Sequence, residues 1–175
     1  MRSILQPRCS AALKKNALSP EGYAQMIANT TKLNTPGAAL SALAGVHAMT
    51  DVTGFGLAGH ALEMARGSHH TMQLNMSQVP LLPGVRELAE QGMLTGASGR
   101  NWSAYGQEIA LAPECNAIDQ ALLSDPQTSG GLLVACTPES VDEVLAVFHQ
   151  HGFAAACEVG EITTTKQSGA QLIVR

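Results

Sequence analysis

The stretch "MTDVTGFGLAGHALEMA", from Met49 to Ala65, joins two kinds of pattern in one segment. The acidic residue Asp51 stands before three closely spaced glycines, and apolar residues at helical spacing follow them. Glycine has no Cβ, so a glycine-rich chain can turn sharply and can approach a ligand closely. The pattern predicts a strand that ends near Asp51, a glycine turn, and a helix that begins near Phe55–Leu57.

The position of Asp51 allows two interpretations. The N–H groups at the start of a helix attract anions such as phosphate, yet Asp51 is itself an anion. A Mg²⁺ ion between them would resolve the conflict, because Mg²⁺ binds one or two carboxylates together with phosphate oxygens. Asp51 would then be a metal ligand, and Thr53, Gly54 and Gly56 would face a nucleotide's phosphates. Alternatively, Asp51 caps the N–H groups of the turn, which the residues alone favour because such caps are common.

A second polar loop lies in "LLSDPQTSGGLLVAC", Leu122 to Cys136. Asp125 and the proline after it start a turn, Thr128 and Ser129 offer hydroxyl groups, and Gly130 leads into an apolar run. The loop is either a second phosphate-facing segment or a tight connection from a helix to a strand. Neither glycine-rich stretch matches a P-loop, and neither has the acidic residue that a dinucleotide-binding fingerprint requires.

Composition excludes several classes of function. The chain has 175 residues with 10 Lys and Arg against 14 Asp and Glu and no basic cluster, which argues against nucleic-acid binding. No apolar run approaches the ~20 residues of a membrane helix, and the first ten residues lack the apolar region that is typical of a signal peptide. The 4 cysteines are widely spaced without a C-x-x-C pair, which predicts thiols in a reducing cytoplasm rather than zinc or disulfides. Cys9 is expected to be inert.

Helix starts are predicted where a hydroxyl residue precedes proline, at Ser19, Thr35 and Thr137. Further helices are expected over Pro83–Gln91 and Asn116–Leu123. The predicted strands are Val46–Thr50, Thr71–Met76, Gly131–Cys136 and residues 153–162 and 170–175. We expect the second to be half buried and the third to be buried on both faces. The last two are expected to pair as a hairpin through Lys166–Gly169.

The order of these elements predicts an α+β fold, a layered mixed β-sheet with packed helices. We expect an irregular N-terminal arm over residues 1–18 and a single α+β domain over residues 19–175. Residues 95–113 lack a clear period and are rich in Gly and Ser, which predicts a long surface loop. Of the six histidines, His60 lies nearest to the glycine turn, and we assign it a packing or capping role.

These motifs resemble a known enzyme family. The segments "AMTDVTGFGLAGHALEMA", "LPGVRELAEQGMLTGASGRNWSAYG" and "LLSDPQTSGGLLVAC" occur in an order that is similar to the C-terminal half of selenophosphate synthetase (selenide, water dikinase). More distantly, the chain resembles the aminoimidazole ribonucleotide synthetase superfamily. The resemblance runs from about Lys14 to the C-terminus and implies homodimers that convert ATP, selenide and water into selenophosphate, AMP and phosphate with Mg²⁺. It also implies that Asp51 is a metal ligand, which reverses the preference for a cap.

The chain also departs from that family. The reactive cysteine or selenocysteine, its neighbouring lysine and further metal-binding aspartates belong to an N-terminal half that this sequence lacks, so no catalytic residue is assigned here. Residues 6–11 do not follow the family's pattern, and we expect a truncated or frameshifted reading frame or a lone domain. The isolated chain is expected to be inactive without the missing half as its partner. The alternatives are another ATP-dependent enzyme of the superfamily and a non-catalytic binding or assembly domain.

Overall fold

The computed structural model describes residues 6–164 and 169–175, without the side chains of residues 6–8 and 10. Within these residues no helix is long and apolar enough to cross a membrane. The helices are α1 (Gln6–Lys14), α2 (Pro20–Thr31), α3 (Pro36–Leu40), α4 (Gly56–Ser68), α5 (Val85–Glu90), α6 (Gly96–Tyr105), α7 (Ala117–Leu123) and α8 (Val141–Gln150). The strands are β1 (Val46–Asp51), β2 (Thr71–Leu74), β3 (Ile109–Leu111), β4 (Leu132–Cys136), β5 (Gly160–Thr163) and β6 (Leu172–Val174).

The strands form two sheets. β1 and β4 pair antiparallel, with Asp51 opposite Leu132. The other four strands have the order β3-β6-β2-β5, in which β6 runs parallel to both of its neighbours and β5 runs antiparallel to β2. Helices pack on both sheets, so the predicted α+β fold with a mixed sheet is confirmed.

The glycine-turn helix α4 lies in the main apolar core. Its side chains Leu57 and Leu62 are fully buried against β2 and β6, whose Leu74 and Leu172 are also buried. A second, smaller core surrounds Phe148 of α8. Burying a leucine contributes about 2 kcal/mol, so α4 and the start of its first turn are held by packing rather than by helix propensity.

The long surface loop predicted over residues 95–113 is wrong. This segment contains α6 and β3. Thr95 caps α6, since its side chain accepts a hydrogen bond from the N–H of Ser98 at 3.2 Å. α6 shows no apolar period because small and polar residues hold it in place, for example Ser98, which donates to the carbonyl of Ala121 at 2.7 Å. A polar helix fixed by tertiary hydrogen bonds leaves no hydrophobic signal.

Three strand predictions are also wrong. β2 is buried at all four positions rather than half buried, so both faces of this strand are covered, one of them by α4. β4 is buried only at Leu132 and Leu133 rather than on both faces, since its two-stranded sheet leaves the second half accessible. The last two strands do not pair as a hairpin, since β2 lies between β5 and β6. Residues 165–168 of the expected turn lie outside the described residues.

The N-terminal segment is partly helical rather than irregular. α1 packs against α2 and α5, and it buries Cys9 and Ala12. These two side chains are small and lie three residues apart, so they share one helix face without an extended apolar period. Among the helix starts, Ser19 caps α2 as predicted by accepting from the N–H of Gly22 at 3.1 Å. Thr35 makes no cap hydrogen bond, and α3 ends after five residues.

The glycine turn that follows β1 and the second polar loop that precedes β4 cross each other where these two strands meet. The N–H of Val52 donates to the carbonyl of Gly131 at 2.9 Å, and the N–H of Gln127 donates to the carbonyl of Thr53 at 2.8 Å. A Cβ on Gly130 would lie 1.7 Å from the carbonyl oxygen of Val52. Gly56 has a φ of +72°, and a Cβ there would lie 2.7 Å from the carbonyl oxygen of Leu123. The crossing therefore requires glycine on both loops.

We expect Gly130→Ala to destabilise the chain by roughly 3 kcal/mol, because the new methyl group would clash with the Val52 carbonyl, and Val52 is bound through its N–H to the carbonyl of Gly131. The control is Gly54→Ala, since a Cβ at Gly54 has nothing within 4 Å. That variant is expected to stay within about 0.5 kcal/mol of the parent. Urea unfolding measures both free energies, and equal stabilities of the two variants would contradict the crossing geometry.

We expect Cys9 to be the slowest of the four cysteines to react with an aromatic disulfide reagent. Burial raises the pKa of the Cys9 thiol, and the residue is 4% exposed. The other three cysteines, at positions 115, 136 and 157, are partly accessible, and none of the four forms a disulfide. In urea the four rates should converge. A fast-reacting Cys9 in the folded chain would contradict its burial on the inner face of α1.

Candidate functional site

Asp51 is the last residue of β1, and its carboxylate lies at the surface beside the loop crossing. Among the residues that the structure describes, no side chain and no N–H group of the turn donates to this carboxylate. The residue before α4 is Phe55, which makes no side-chain cap. The capping interpretation of Asp51 is therefore wrong, and the carboxylate is available to a ligand.

Thr53 lies on the same outward side of the chain as Asp51. Val52 between them is fully buried, and residues two apart in an extended segment point the same way. The hydroxyl of Thr53 lies 3.1 Å from Nε2 of His60, and Nδ1 of that ring lies 2.9 Å from a carboxylate oxygen of Glu63. The packing role expected for His60 thus takes the form of a hydrogen-bonded chain beneath the turn.

Phe55 lies on the turn and is 52% exposed, which is unusual for an aromatic ring beside a helix start. Its ring centroid lies 5.9 Å from that of His60. Its carbonyl accepts a hydrogen bond from the hydroxyl of Tyr105 at 2.6 Å, and burial raises the pKa of Tyr105 well above its ordinary value. The backbone of the turn is therefore anchored from below, while the phenyl ring covers His60 from outside.

Asn101 joins the two loops. Its amide nitrogen donates to the carbonyl oxygens of Gly54 and Ser124, both at 2.9 Å. With these bonds the carbonyl of Gly54 is held against α6, and the turn has a fixed outward face. Gly54 itself is exposed, and Gly56 is buried at the crossing. Gly54 is thus open to a ligand, whereas Gly56 serves the packing of the backbone.

The second loop divides into a buried and an exposed part. Asp125 is 0% exposed, and its carboxylate accepts from the hydroxyl of Thr95 at 2.6 Å. Thr128 and Ser129 are exposed, and Ser129 has a φ of +51°. The carbonyl of Gly130 accepts from the side chain of Asn34 at 2.9 Å. The hydroxyl groups thus face solvent beside the crossing, while Asp125 and Gly130 lie beneath it.

The donor set at the crossing fits a Mg²⁺ ion that takes most of its ligands from elsewhere. Among residues 6–164 and 169–175, no three His, Cys, Asp or Glu side chains cluster as a metal cage. Asp51 supplies one open carboxylate, and Mg²⁺ commonly uses one or two carboxylates together with phosphate oxygens and water. The site can therefore hold a metal–phosphate complex from one side, but it cannot enclose the ion.

Several residues of this arrangement were missed by the sequence analysis. Asn101 was hidden in the supposed loop, although it lies in a segment that carries the resemblance. Glu63 follows His60 at the i+3 spacing of one helix face, a signal that was overlooked. Asn34 and Thr95 reach the second loop from distant parts of the sequence, and no local pattern indicates such contacts.

Curated relatives carry one common name. The chain is 61% identical over 153 residues to "Selenide, water dikinase" of Burkholderia pseudomallei, a match that covers 87% of this chain and 43% of the relative. It is 50% identical over 165 residues to the protein of the same name from Rhizobium meliloti, covering 94% of this chain and 46% of the relative. The chain thus spans less than half the length of the curated relatives it matches, in their C-terminal part.

A solved structure shares the fold. Escherichia coli HypE, a hydrogenase maturation protein, aligns with 80% of this chain and 35% of its own at a TM-score of 0.56 and 18% identity. Residues 10–173 match the family described as AIR synthase related protein, C-terminal domain. The match covers the glycine turn, the second loop and the described strands except the last residue of β6. The chain therefore belongs to the family of AIR synthase related C-terminal domains.

Proposed function

We propose that the chain is the C-terminal domain of a selenophosphate synthetase and supplies one side of a Mg²⁺·ATP site. The observation that carries this proposal is the open carboxylate of Asp51 beside an anchored glycine turn. The identity of 61% to a protein named selenide, water dikinase supports the substrate class. The reaction is then the conversion of ATP, selenide and water into selenophosphate, AMP and phosphate.

Each residue of the crossing has a role in this proposal. Mg²⁺, when bound, would neutralise charge on the polyphosphate during phosphoryl transfer. Asp51 would hold the ion, and the exposed backbone at Gly54 would allow phosphate to approach without a Cβ in the way. Thr128 and Ser129, which are exposed on the second loop, would donate hydrogen bonds to phosphate oxygens. Asp125 and Gly56 would act by keeping the loops in register rather than by touching the nucleotide.

The relatives are more than twice as long as this chain, and their additional part would supply the remaining components of the site. A single carboxylate cannot assemble a metal cluster, so the further ligands and the nucleophile would come from the part of the relatives that this chain does not span. We propose that part as the main partner, in a homodimer, with the half-exposed Phe55 at the border between the two parts. Residues 19–175 would form the domain, with α1 as an added helix. The four thiols fit the reducing cytoplasm.

Mg²⁺·ATP titrated into the ¹⁵N-labelled chain should shift the amide signals of residues 51–56 and 128–131 in NMR spectra. We expect weak binding, of the order of 1 mM, because one carboxylate and a few backbone groups carry it. Asp51→Asn should abolish the shifts at these residues, since it removes the charge that holds the ion. The matched control is Asp142→Asn, an exposed carboxylate on α8 away from the turn.

Unchanged shifts in the Asp51 variant would contradict the metal assignment. The absence of localised shifts in the parent would favour the alternative, a non-catalytic binding or assembly domain in which the crossing serves only packing. Binding by the chain, combined with no selenide-dependent AMP release from the fusion described next, would instead favour another ATP-dependent enzyme of the same superfamily.

The chain alone should release no AMP from ATP in the presence of selenide, since it contributes one side of the site. A fusion that places the preceding part of the Burkholderia pseudomallei relative before residue 19 should release AMP in a selenide-dependent manner. Asp51→Asn in that fusion should lower the rate by at least about 100-fold, since a metal ion supplies several kcal/mol of charge stabilisation. Robust selenide-dependent AMP formation by the chain alone would overturn this proposal.

A further inference from the structure

The outward side chain nearest to Asp51 along the turn is not isolated. Thr53 Oγ1 lies 3.1 Å from His60 Nε2, and His60 Nδ1 lies 2.9 Å from Glu63 Oε2. The side chain of His60 is 10% exposed and that of Glu63 is 50% exposed. A chain of three side chains therefore runs from the surface of α4 to the hydroxyl group beside the metal-binding carboxylate.

The carboxylate of Glu63 fixes the direction of both hydrogen bonds. An ionised carboxylate can only accept, so Nδ1 of His60 carries a proton and donates it to Glu63. In the neutral imidazole the other nitrogen, Nε2, then holds a lone pair and no proton. Nε2 must accept, and the hydroxyl of Thr53 must donate. The i+3 spacing indicates only the pair of His60 with Glu63. The geometry adds the contact with Thr53 and leaves this one arrangement of the neutral ring.

The surroundings protect this arrangement. The ring of Phe55 lies over His60 with centroids 5.9 Å apart, and His60 is 8% exposed as a whole. Water therefore competes little for the ring nitrogens. Thr53 is further fixed through its backbone, since its carbonyl accepts from the N–H groups of Gln127 at 2.8 Å and Gly56 at 3.0 Å. The hydroxyl oxygen thus has both a fixed place and a fixed proton direction.

A hydroxyl group whose proton points inward offers only lone pairs outward. Such an oxygen suits a cation or a water molecule bound to a cation, and it does not suit a phosphate oxygen, which also only accepts. We propose that Thr53 contacts the metal side of the site, as a ligand of the ion or of its bound water, and that His60 and Glu63 are positioning residues that keep the Thr53 proton away from the nucleotide. The proposal rests on the proposed Mg²⁺·ATP function and replaces the phosphate-facing role predicted for Thr53.

The first test needs no metal. The ¹⁵N chemical shifts of the imidazole nitrogens report which one carries the proton, and His60→Gln assigns the signals of this ring among the six histidines. We expect His60 to carry its proton on Nδ1 in the parent chain. In Glu63→Gln the carboxamide can either accept from or donate to Nδ1, so the preference for one tautomer is lost. The Nε2–H form then becomes populated, and in that fraction the Thr53 bond is reversed. The matched control is Glu90→Gln on α5, which should leave the ring unchanged.

The second test measures the metal itself. Mn²⁺, alone and with ATP, replaces Mg²⁺ as a paramagnetic probe whose affinity is read from water proton relaxation. Thr53→Val should weaken Mn²⁺ binding by about 10-fold, the loss of one hydrogen bond to a charged partner, while Thr53→Ser should restore most of it. Glu63→Gln should weaken Mn²⁺ binding without lowering the thermal midpoint by more than the Glu90→Gln control does.

The outcomes separate the two proposals. If Asp51→Asn leaves Mn²⁺ binding unchanged, the proposed function itself fails. If Asp51→Asn weakens binding but Thr53→Val does not, or if His60 in the parent carries its proton on Nε2, the role of Thr53 proposed here is wrong while the metal site stands. Loss of binding in Thr53→Val without rescue by Thr53→Ser would likewise count against a hydroxyl acceptor and point to a packing effect.

Discussion

The contact between the backbone of Gly130 and the carbonyl of Val52 holds the site together. At this point two loops that are far apart in the sequence cross without space for a single methyl group. The antiparallel pairing of β1 with β4 brings the loops together, and the bond from Val52 to Gly131 extends that pairing by one residue. Because the backbones touch here, the outward side chains on either side of the crossing have fixed positions.

The same crossing separates structural from ligand-facing residues. Val52, Gly56 and Asp125 lie beneath it and are buried, whereas Asp51, Gly54 and the hydroxyl pair of the second loop lie outside. A glycine-rich motif need not place every glycine near a ligand. In this chain, close backbone packing explains Gly56 and Gly130, and the open side of Gly54 leaves room for a phosphate.

Some of this could be predicted from the sequence because the signals are local. The apolar period after the turn predicts α4, and its start near Phe55–Leu57 is confirmed. The second motif ends in a strand, which is also correct. The capping interpretation of Asp51 was wrong because a cap and a free carboxylate share one sequence pattern, and the three-dimensional hydrogen bonds alone separate them.

The rest could not be predicted because its stabilising contacts are long-range. α6 has few apolar residues, and serine and asparagine bonds to α7 and to both loops hold it in place. β2 alternates in sequence, but it lies between β6 and β5 inside the sheet and is buried at every position, so both of its faces are covered. The pair of Asn34 with Gly130 joins residues 96 apart. Polar contacts of this kind satisfy buried groups without adding to hydrophobic periodicity.

The proposed function requires a metal ion between Asp51 and a polyphosphate at this crossing. Anomalous diffraction from a crystal of the chain soaked with Mn²⁺ and ATP tests it directly, because the ion is located without reference to any assumed ligand. We expect an anomalous peak about 2 Å from a carboxylate oxygen of Asp51, with phosphate density over the glycine turn. A metal peak at another carboxylate, with the Asp51 side chain unbound, would contradict the account.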